Sequence, residues 1–265
     1  MRALAGLIYH CGLPPKSVAR SPDEFQRYFT QAYAPYEQDD ADDSRLRRFK
    51  ETNAHRTCTI HFLGLWDTVK SYGGVWPKSL PHLRHNPIVR IVRHALAMHE
   101  QRSWFIPTSW GNIDADDRER LGVTPDPRYQ TQDVEEVWFR GCHADVGGGD
   151  HASVISAIPF RWMLGQAYAH GLLLNAQGLN ALAQADPDGE PEVHESLCGG
   201  WLLSEYVPRW ELDNGYRPPK RYFKIGRSGR RHLDQFARGG GQIRVHRSAW
   251  KDYPVKAAIV DPHSR

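Results

Sequence analysis

The sequence predicts an α/β fold, in which a mostly parallel β-sheet is flanked by helices. Segment 57–66 is nearly continuous in β-branched, aliphatic and aromatic residues, and segment 134–141 carries the run Val-Trp-Phe near its end. Strands buried on both faces of a parallel sheet have such runs. The chain has 265 residues, long enough for one main domain with decorations. We expect that domain to span residues 1–210 and an extension with short strands, residues 211–265, to pack on it.

The first elements of the chain are predicted to be helices. Residues 2–13 are mostly apolar, but His10 interrupts the run, no small-x-small cleavage site follows, and Pro14-Pro15 comes next. We therefore predict a buried helix that stops at the prolines rather than a signal peptide, and synthesis in the cytoplasm. The tetrapeptide Ser-Pro-Asp-Glu at 21–24 predicts the start of another helix. The acidic run 39–43 is typical of a solvated loop or a helix start.

Hydrophobic periodicity places the remaining elements. Apolar residues recur near helical spacing over 87–99, and we predict the crossover helix of the parallel sheet there. The polar, proline-containing insert 108–133 is typical of a lid or a substrate-binding loop. A helix over 154–170 is expected to pack these side chains on the sheet: Ile158, Phe160, Trp162, Met163 and Leu164. Later elements are a helical piece at 179–185, an apolar stretch at 201–203, and strands at 221–225 and 242–246 joined by an exposed hairpin.

Composition excludes several classes of protein. A net charge of +3 is too weak to favour nucleic acid as a partner. No stretch approaches the roughly 20 consecutive apolar residues that span a bilayer, so no transmembrane segment is expected. The cysteines form no C-x-x-C pair, so we expect neither a zinc ribbon nor a disulfide framework, and no cofactor. They are Cys11, Cys58, Cys142 and Cys198.

Each of the two predicted buried strands ends at a titratable residue. Asp67 follows segment 57–66, and His143 follows segment 134–141. Since the carboxyl ends of parallel strands meet at one edge of a sheet, a carboxylate and an imidazole can pair there. Asp67 would hold the tautomer of His143, and His143 would take the proton of a nucleophile. An aspartate that caps a loop and a structural histidine have the same pattern, so both interpretations remain open at this point.

Three longer segments resemble the successive signatures of one family. They are residues 62–69 (FLGLWDTV), 94–100 (HALAMHE) and 137–149 (VWFRGCHADVGGG). In order and separation they resemble the DUF2235 family, the α/β-hydrolase group that includes the Tle1-type phospholipase effectors of type VI secretion. The resemblance covers residues 1–210, and the strand followed by H-x-D-V-G-G-G is its most specific part. It implies a lipid or ester substrate, delivery by type VI secretion, and the secretion apparatus or an immunity protein as partner.

The family's nucleophilic serine has no counterpart in the sequence. Its elbow resembles G-F-S-R-G-A followed by a helix that reads R-A-L-A-G-x-I, and the chain begins with Met-Arg-Ala-Leu-Ala-Gly. We therefore expect an α/β-hydrolase-like sheet that lacks its first strands and the elbow, as a gene fragment, a mis-called start codon or a split partner would produce. No G-x-S-x-G occurs, and the nearest mimic, residues 226–230 around Ser228, lacks the second glycine.

The leading hypothesis is therefore a serine-type ester or phospholipid hydrolase whose triad is Ser-Asp-His, inactive alone because the serine is absent. The first alternative is a non-catalytic binding module that keeps the fold. The second is a metal-dependent hydrolase using His143, Asp145, Asp150 and His151, although the three glycines among them favour a tight turn. Asp145 also competes with Asp67 as the triad acid. Four tryptophans suit either a lipid interface or the core: Trp104, Trp110, Trp201 and Trp210.

Overall fold

The computed structural model describes residues 1–36, 43–53, 58–69, 86–110, 132–148, 154–184, 192–213, 220–224, 231 and 243–252. Several predicted features lie outside these residues. They are residues 39–42 of the acidic run, most of the insert 108–133, Asp150 and His151 of the metal hypothesis, and Ser228 in the serine mimic.

Four helices precede the sheet in the described residues. They are α1 (Arg2–Cys11), α2 (Lys16–Arg20), α3 (Pro22–Tyr36) and α4 (Asp43–Asn53). The first predicted helix is confirmed: it ends at Gly12, whose positive φ of 73° suits a glycine after a helix. Helix α3 begins as predicted, with the Glu24 N–H donating to Ser21 Oγ. Apolar residues join α1, α3 and α4 in one buried cluster, which contains Leu7, Cys11, Ala32, Tyr36 and Leu46.

In the part of the chain that the structure describes, the main sheet has four parallel strands in the order β1-β2-β3-β6. They are β1 (Ile60–Trp66), β2 (Val89–Ala97), β3 (Asp133–Phe139) and β6 (Arg244–Val245). The two predicted buried strands are confirmed as β1 and β3, which lie on either side of β2. The predicted α/β architecture is confirmed, because helices cover this parallel sheet.

The predicted crossover helix over 87–99 is wrong, since its central part is strand β2. Strand β2 pairs with β1 on one side and with β3 on the other, and it is buried on both faces. Its Ala95 packs in one cluster and Leu96 in another. Burial on both faces removes the alternation of polar and apolar residues that marks a strand, and the buried Arg93 and His94 leave the apolar residues of β2 at a spacing that resembles a helix.

The predicted hairpin between 221–225 and 242–246 is also wrong. Strand β5 (Lys220–Lys224) pairs antiparallel with β4 (Arg209–Asp213), whereas β6 pairs parallel with β3. The Gly- and Arg-rich link favoured a local turn, but the second strand finds its partner in β3, more than 100 residues earlier in the chain. Part of the segment 211–265 therefore belongs to the main sheet, although its division from 1–210 stays a prediction.

The remaining helices are α5 (His143–Gly147), α6 (Ala157–Ala169), α7 (Ala176–Ala183), α8 (Gly200–Ser204) and a 3₁₀ helix (Arg247–Asp252). Helix α6 confirms the prediction over 154–170. Its Ile158, Trp162 and Met163 pack on Ala95, Val137 and Phe139 of the sheet. The expectation for Phe160 is wrong: half of that residue is exposed, because it lies on the solvent side of α6.

Helix α1 covers the opposite face of the sheet through Ala5, which packs with Leu63 and Leu65 of β1. Helix α6 approaches closely on the other face, because Gly64 leaves room there: a Cβ at that position would lie 2.9 Å from Met163 Sδ. Helices on both faces therefore leave the carboxyl edge of the strands open to loops. Within the part of the chain that the structure describes, no helix has the length and apolarity to cross a membrane.

Candidate active site

Asp67 lies immediately after β1, in a turn that the backbone adopts at some cost. Its φ is +36°, in the left-handed region where aspartate is one of the few residues that is tolerated. Its N–H donates to the carbonyl of Ala95 at 2.7 Å, so β2 fixes the turn. Its carboxylate is fully buried. A buried residue with positive φ at the end of a strand is a frequent feature of functional sites.

His143 is the first residue of α5 and follows β3 by a short turn. In that turn Gly141 has a φ of +117°, a conformation that residues with side chains rarely adopt. The turn points the imidazole at Asp67: Nδ1 of His143 lies 2.6 Å from Oδ2 of Asp67, although 76 residues separate them. The predicted contact at one edge of the sheet is confirmed. The catalytic roles of both residues stay predictions.

Both oxygens of the Asp67 carboxylate accept further hydrogen bonds. Oδ1 accepts from the N–H of Ala97 at 2.9 Å and from a guanidinium nitrogen of Arg231 at 2.7 Å. Another nitrogen of Arg231 lies 3.0 Å from Oδ2. Burial alone would raise the pKa of Asp67, but the charge of Arg231 and the hydrogen bonds from His143 and Arg231 hold that pKa well below its usual range. Asp67 is therefore an anion.

Asp145 has different partners, even though it is only two residues from His143. One oxygen accepts from the N–H of Cys142 at 2.9 Å, and the Cys142 thiol in turn caps the first turn of α5. The other oxygen pairs with Nδ1 of His194. Asp145 thus closes the start of a helix and pairs with a second histidine, and the carboxylate next to His143 in space is that of Asp67.

Glu100 supports the backbone of His143. Its buried carboxylate accepts from the His143 N–H at 3.1 Å and from the Ser196 hydroxyl at 2.9 Å. Arg102 donates to both of its oxygens, at 2.9 and 2.8 Å. Burial would raise the pKa of Glu100, but the hydrogen bonds from Arg102 and His143 lower it. Glu100 thereby ties the end of β2, the start of α5 and the segment around Ser196 together.

Comparison with known families identifies the family of the chain. Residues 1–166 match the family model described as the T6SS phospholipase effector Tle1-like catalytic domain, where T6SS denotes type VI secretion. The chain belongs to the Tle1-like phospholipase effectors. The match contains Asp67 and His143, and it ends before His194 and Arg231. No curated protein and no solved structure matches the chain significantly.

The exposed side of His143 in this Tle1-like domain is lined by apolar side chains. The Phe105 ring meets the imidazole edge-on, with 4.9 Å between ring centres, and Trp201 of α8 packs on Phe105 at 5.3 Å. Arg102 stacks over the Phe105 ring at 3.7 Å. Among the described residues, Nε2 of His143 has no hydrogen-bond partner, and nearly a third of the His143 side chain is exposed. Nε2 is therefore the open end of the Asp67–His143 pair.

Two other kinds of chemistry find less support. Within the described ranges, no group of three or more His, Cys, Asp or Glu side chains could hold a metal ion, and two of the four residues of the metal hypothesis lie outside them. Burial raises the pKa of the Cys142 thiol to about 11, so this neighbour of His143 is not a thiolate nucleophile near neutral pH.

Sequence reasoning missed Arg231, Glu100 and His194. Recognising β2 as a strand would have indicated Glu100, because it stands three residues beyond Ala97, at the same edge as Asp67 and His143. Arg231 and His194 had no such signal. They come from segments without a motif, 164 and 49 residues from the carboxylates that they bind.

Proposed function

We propose that this chain carries the base and the acid of a serine-type phospholipase site, with His143 as base and Asp67 as acid. The observation that carries the proposal is the 2.6 Å contact between His143 Nδ1 and the buried, ionised carboxylate of Asp67, with Nε2 left open. Membership of a phospholipase effector family supports ester hydrolysis as the reaction.

In this mechanism Asp67 keeps the Nδ1 proton of His143 in place, so that Nε2 is the lone-pair nitrogen. His143 takes the proton of a serine hydroxyl through Nε2 while the serine oxygen attacks the carbonyl carbon of an acyl ester. The imidazolium that forms is stabilised by Asp67, and it returns the proton to the leaving alcohol as the ester bond breaks. Water then releases the fatty acid by the same steps in reverse.

A lipid substrate is supported by the side chains around the open face of His143. Phe105 and Trp201 line the approach to the imidazole. Apolar side chains of α8 and the turn after it continue outward and are exposed: Leu202, Leu203, Tyr206 and Val207. Such a surface suits acyl chains better than a water-soluble ester. As an effector of type VI secretion, the protein would also meet its delivery apparatus and an immunity protein.

The 265 residues contain no G-x-S-x-G, so the test needs a chain that supplies the serine. We would fuse the N-terminal third of a Tle1-like relative, including its serine elbow, directly before Arg2. The fused chain should hydrolyse phospholipid vesicles and short-chain esters. Its activity should vanish when the elbow serine is replaced by alanine, and again when His143 is replaced by alanine.

The 265-residue chain by itself serves as the matched control and should show no hydrolysis above background. Turnover by that chain that survives Ser228→Ala but is lost in His143→Ala would mean that another group is the nucleophile. A folded fusion without activity would contradict the enzyme and favour the non-catalytic binding module, which the absence of a serine elbow from these residues also permits.

A further inference from the structure

Arg231 is the part of the site that neither the sequence motifs nor the family match contains. It lies in the segment 211–265, beyond the matched residues 1–166. Its guanidinium is nevertheless buried against the carboxyl edge of the sheet, with 6% of the side chain exposed. An arginine buried to this extent needs partners for its charge, since an unpaired buried charge is strongly destabilising.

The contacts of Arg231 converge on Asp67. Two nitrogens bind the two oxygens of Asp67, at 2.7 and 3.0 Å, in the fork geometry that arginine makes with carboxylates. The remaining donors bind carbonyls that surround the same spot. One donates to Ala97 at 2.7 Å, and two donate to Phe105, whose ring packs on His143.

We propose that Arg231 is a positioning residue for the acid–base pair: it keeps the buried Asp67 carboxylate ionised and fixes the oxygen that His143 binds. This role rests on the proposed function of Asp67 and His143. It also gives the segment 211–265 a part in catalysis, because the site is incomplete without it. Arg231 does not touch the reacting atoms, and it acts only through Asp67 and the Phe105 backbone.

The physical argument follows from burial and charge. A fully buried carboxylate that accepts hydrogen bonds only from Ala97 and His143 would hold a proton more readily than one in water. A protonated Asp67 could no longer stabilise the imidazolium of His143. Among the described residues, the other titratable groups near Asp67 include His94 of β2, with Arg2 behind it, and Arg102, which is next to Glu100. Arg102 is neutralised by its bidentate pair with Glu100, whereas Arg231 contacts both oxygens of Asp67 and is the described cation that holds it ionised.

The sign of the pH dependence is fixed by this arrangement. The pKa of Asp67 is lower in the folded chain than in the unfolded chain, so its stabilising contribution is present above the unfolded pKa and is lost as pH falls through the folded one. When Arg231 is replaced by methionine, the lowering charge disappears and burial remains. Asp67 should then take up its proton at a higher pH than in the unchanged protein.

The test is a carbon NMR titration of the Asp67 carboxyl in the full 265-residue chain, with the signal assigned by its absence in Asp67→Asn. In Arg231→Met the midpoint should rise by about one pH unit or more. Arg244→Met is the matched control. Arg244 belongs to the same segment but pairs with Glu135, so its loss should leave the Asp67 titration unchanged. Equal titrations in the unchanged chain and a folded Arg231→Met would overturn the proposal.

Arg231→Lys keeps the test decisive if Arg231→Met does not fold. Lysine retains the charge, so Asp67 should stay ionised nearly as in the unchanged chain. Lysine loses the fork, so the hydrogen-bonded Nδ1 proton of His143 should move in the proton spectrum. An unmoved Nδ1 proton, or an Asp67 that titrates like a surface aspartate despite the lysine, would overturn the proposal.

Activity separates this inference from the proposed function. In the serine-bearing fusion, Arg231→Met should lower kcat by roughly tenfold with little change in KM, and the acidic limb of the pH profile should move to higher pH. If the fusion is inactive in every variant while the Asp67 titration shifts as stated, the proposed function fails and the electrostatic action of Arg231 stands. If the fusion is active and Arg231→Met leaves both its pH profile and its kcat unchanged, Arg231 has no positioning role.

Discussion

Two histidine–aspartate pairs meet at the start of α5, where His143 belongs to one pair and Asp145 to the other, and the two pairs differ in their surroundings. Asp67 binds His143, Asp145 binds His194, and both carboxylates are fully buried. The remaining bonds of Asp67 go to Arg231 and to the strand end at Ala97. Those of Asp145 go to the backbone at the start of α5 and to the His194 N–H.

The same kind of histidine–aspartate contact therefore occurs in two different settings. Asp145 has the bonds of a helix cap, and its histidine fastens the segment 192–198 to that cap. Asp67 has the bonds of a charged acid, because an arginine holds its charge and its histidine opens toward an apolar approach lined by Phe105. A histidine–aspartate contact is therefore insufficient to identify a candidate active site. The other partners of the carboxylate, here Arg231 for Asp67 and a helix start for Asp145, distinguish the two pairs.

The largest effect that would sharpen this comparison is the loss of the histidines. In the serine-bearing fusion, His143→Ala should lower kcat by about 10⁵-fold, since it removes the proposed general base. His194→Ala should change kcat by less than about tenfold when equal amounts of folded protein are compared. The measurement is hydrolysis of a short-chain ester, with folding followed by circular dichroism. A larger loss in His194→Ala than in His143→Ala would exchange the roles of the two pairs.

Replacing the two carboxylates should have effects that differ in kind: one on catalysis and the other on stability. Asp67→Asn should lower kcat by about 10⁴-fold, because the amide favours the wrong tautomer of His143, and a residual activity should remain. Asp145→Asn should act on stability, lowering the free energy of unfolding by about 2 kcal/mol through its lost cap and histidine contacts. Urea unfolding and ester hydrolysis of the same two variants separate these effects. Full activity in Asp67→Asn together with none in Asp145→Asn would make Asp145 the acid.

The Asp67–His143 contact was predictable because each residue follows a run that is typical of a buried strand. Parallel strands bring their carboxyl ends to one edge, so the proximity followed without knowledge of the intervening strand. The choice between Asp67 and Asp145 was not predictable. Asp145 is closer in sequence, but α5 turns its carboxylate toward His194, and helix direction is a property of the folded backbone.

The errors have a common physical origin in burial and distance. Strand β2 was mistaken for a helix because its burial on both faces removes the alternation that marks a strand. Strand β6 was paired with its neighbour in sequence, whereas it pairs with β3. Arg231 was invisible because an arginine in a Gly-rich link looks solvated, and only the folded chain brings it to Asp67.

Gly141, in the turn between β3 and His143, allows a test of how rigidly the backbone holds the two pairs. At Gly141 a Cβ would lie 2.5 Å from Cβ of Asp145, and the φ of +117° is unfavourable for any side chain. Gly141→Ala should therefore lower the free energy of unfolding by about 3 kcal/mol. Gly147→Ala is the matched control at the end of α5, where a Cβ would meet nothing within 4 Å. It should change stability by no more than about 1 kcal/mol.

Urea unfolding of the two alanine variants checks this expectation. Equal stabilities would mean that the turn before His143 relaxes easily, and the rigid presentation of its imidazole would then need another cause. A destabilised Gly141→Ala whose folded fraction keeps full activity in the fusion would place the strain on Asp145 alone and leave the Asp67–His143 pair untouched.

The smallest expected effect concerns the apolar side of His143. Leu203 lies on α8 with three quarters of its surface exposed, and Trp201 on the same helix reaches Phe105 and so the imidazole. Leu173, between α6 and α7, is even more exposed, at 94%.

If lipid approaches the site over α8, Leu203→Asp should weaken binding to vesicles of phosphatidylethanolamine and phosphatidylglycerol about thirtyfold, since burying a leucine contributes roughly 2 kcal/mol. Leu173→Asp has the same chemistry away from that path and should leave binding within about twofold. Sedimentation of the 265-residue chain with vesicles measures both without any need for hydrolysis. Equal losses would show that the chain binds lipid through scattered apolar residues, and a loss in Leu173→Asp alone would move the lipid-binding surface away from His143.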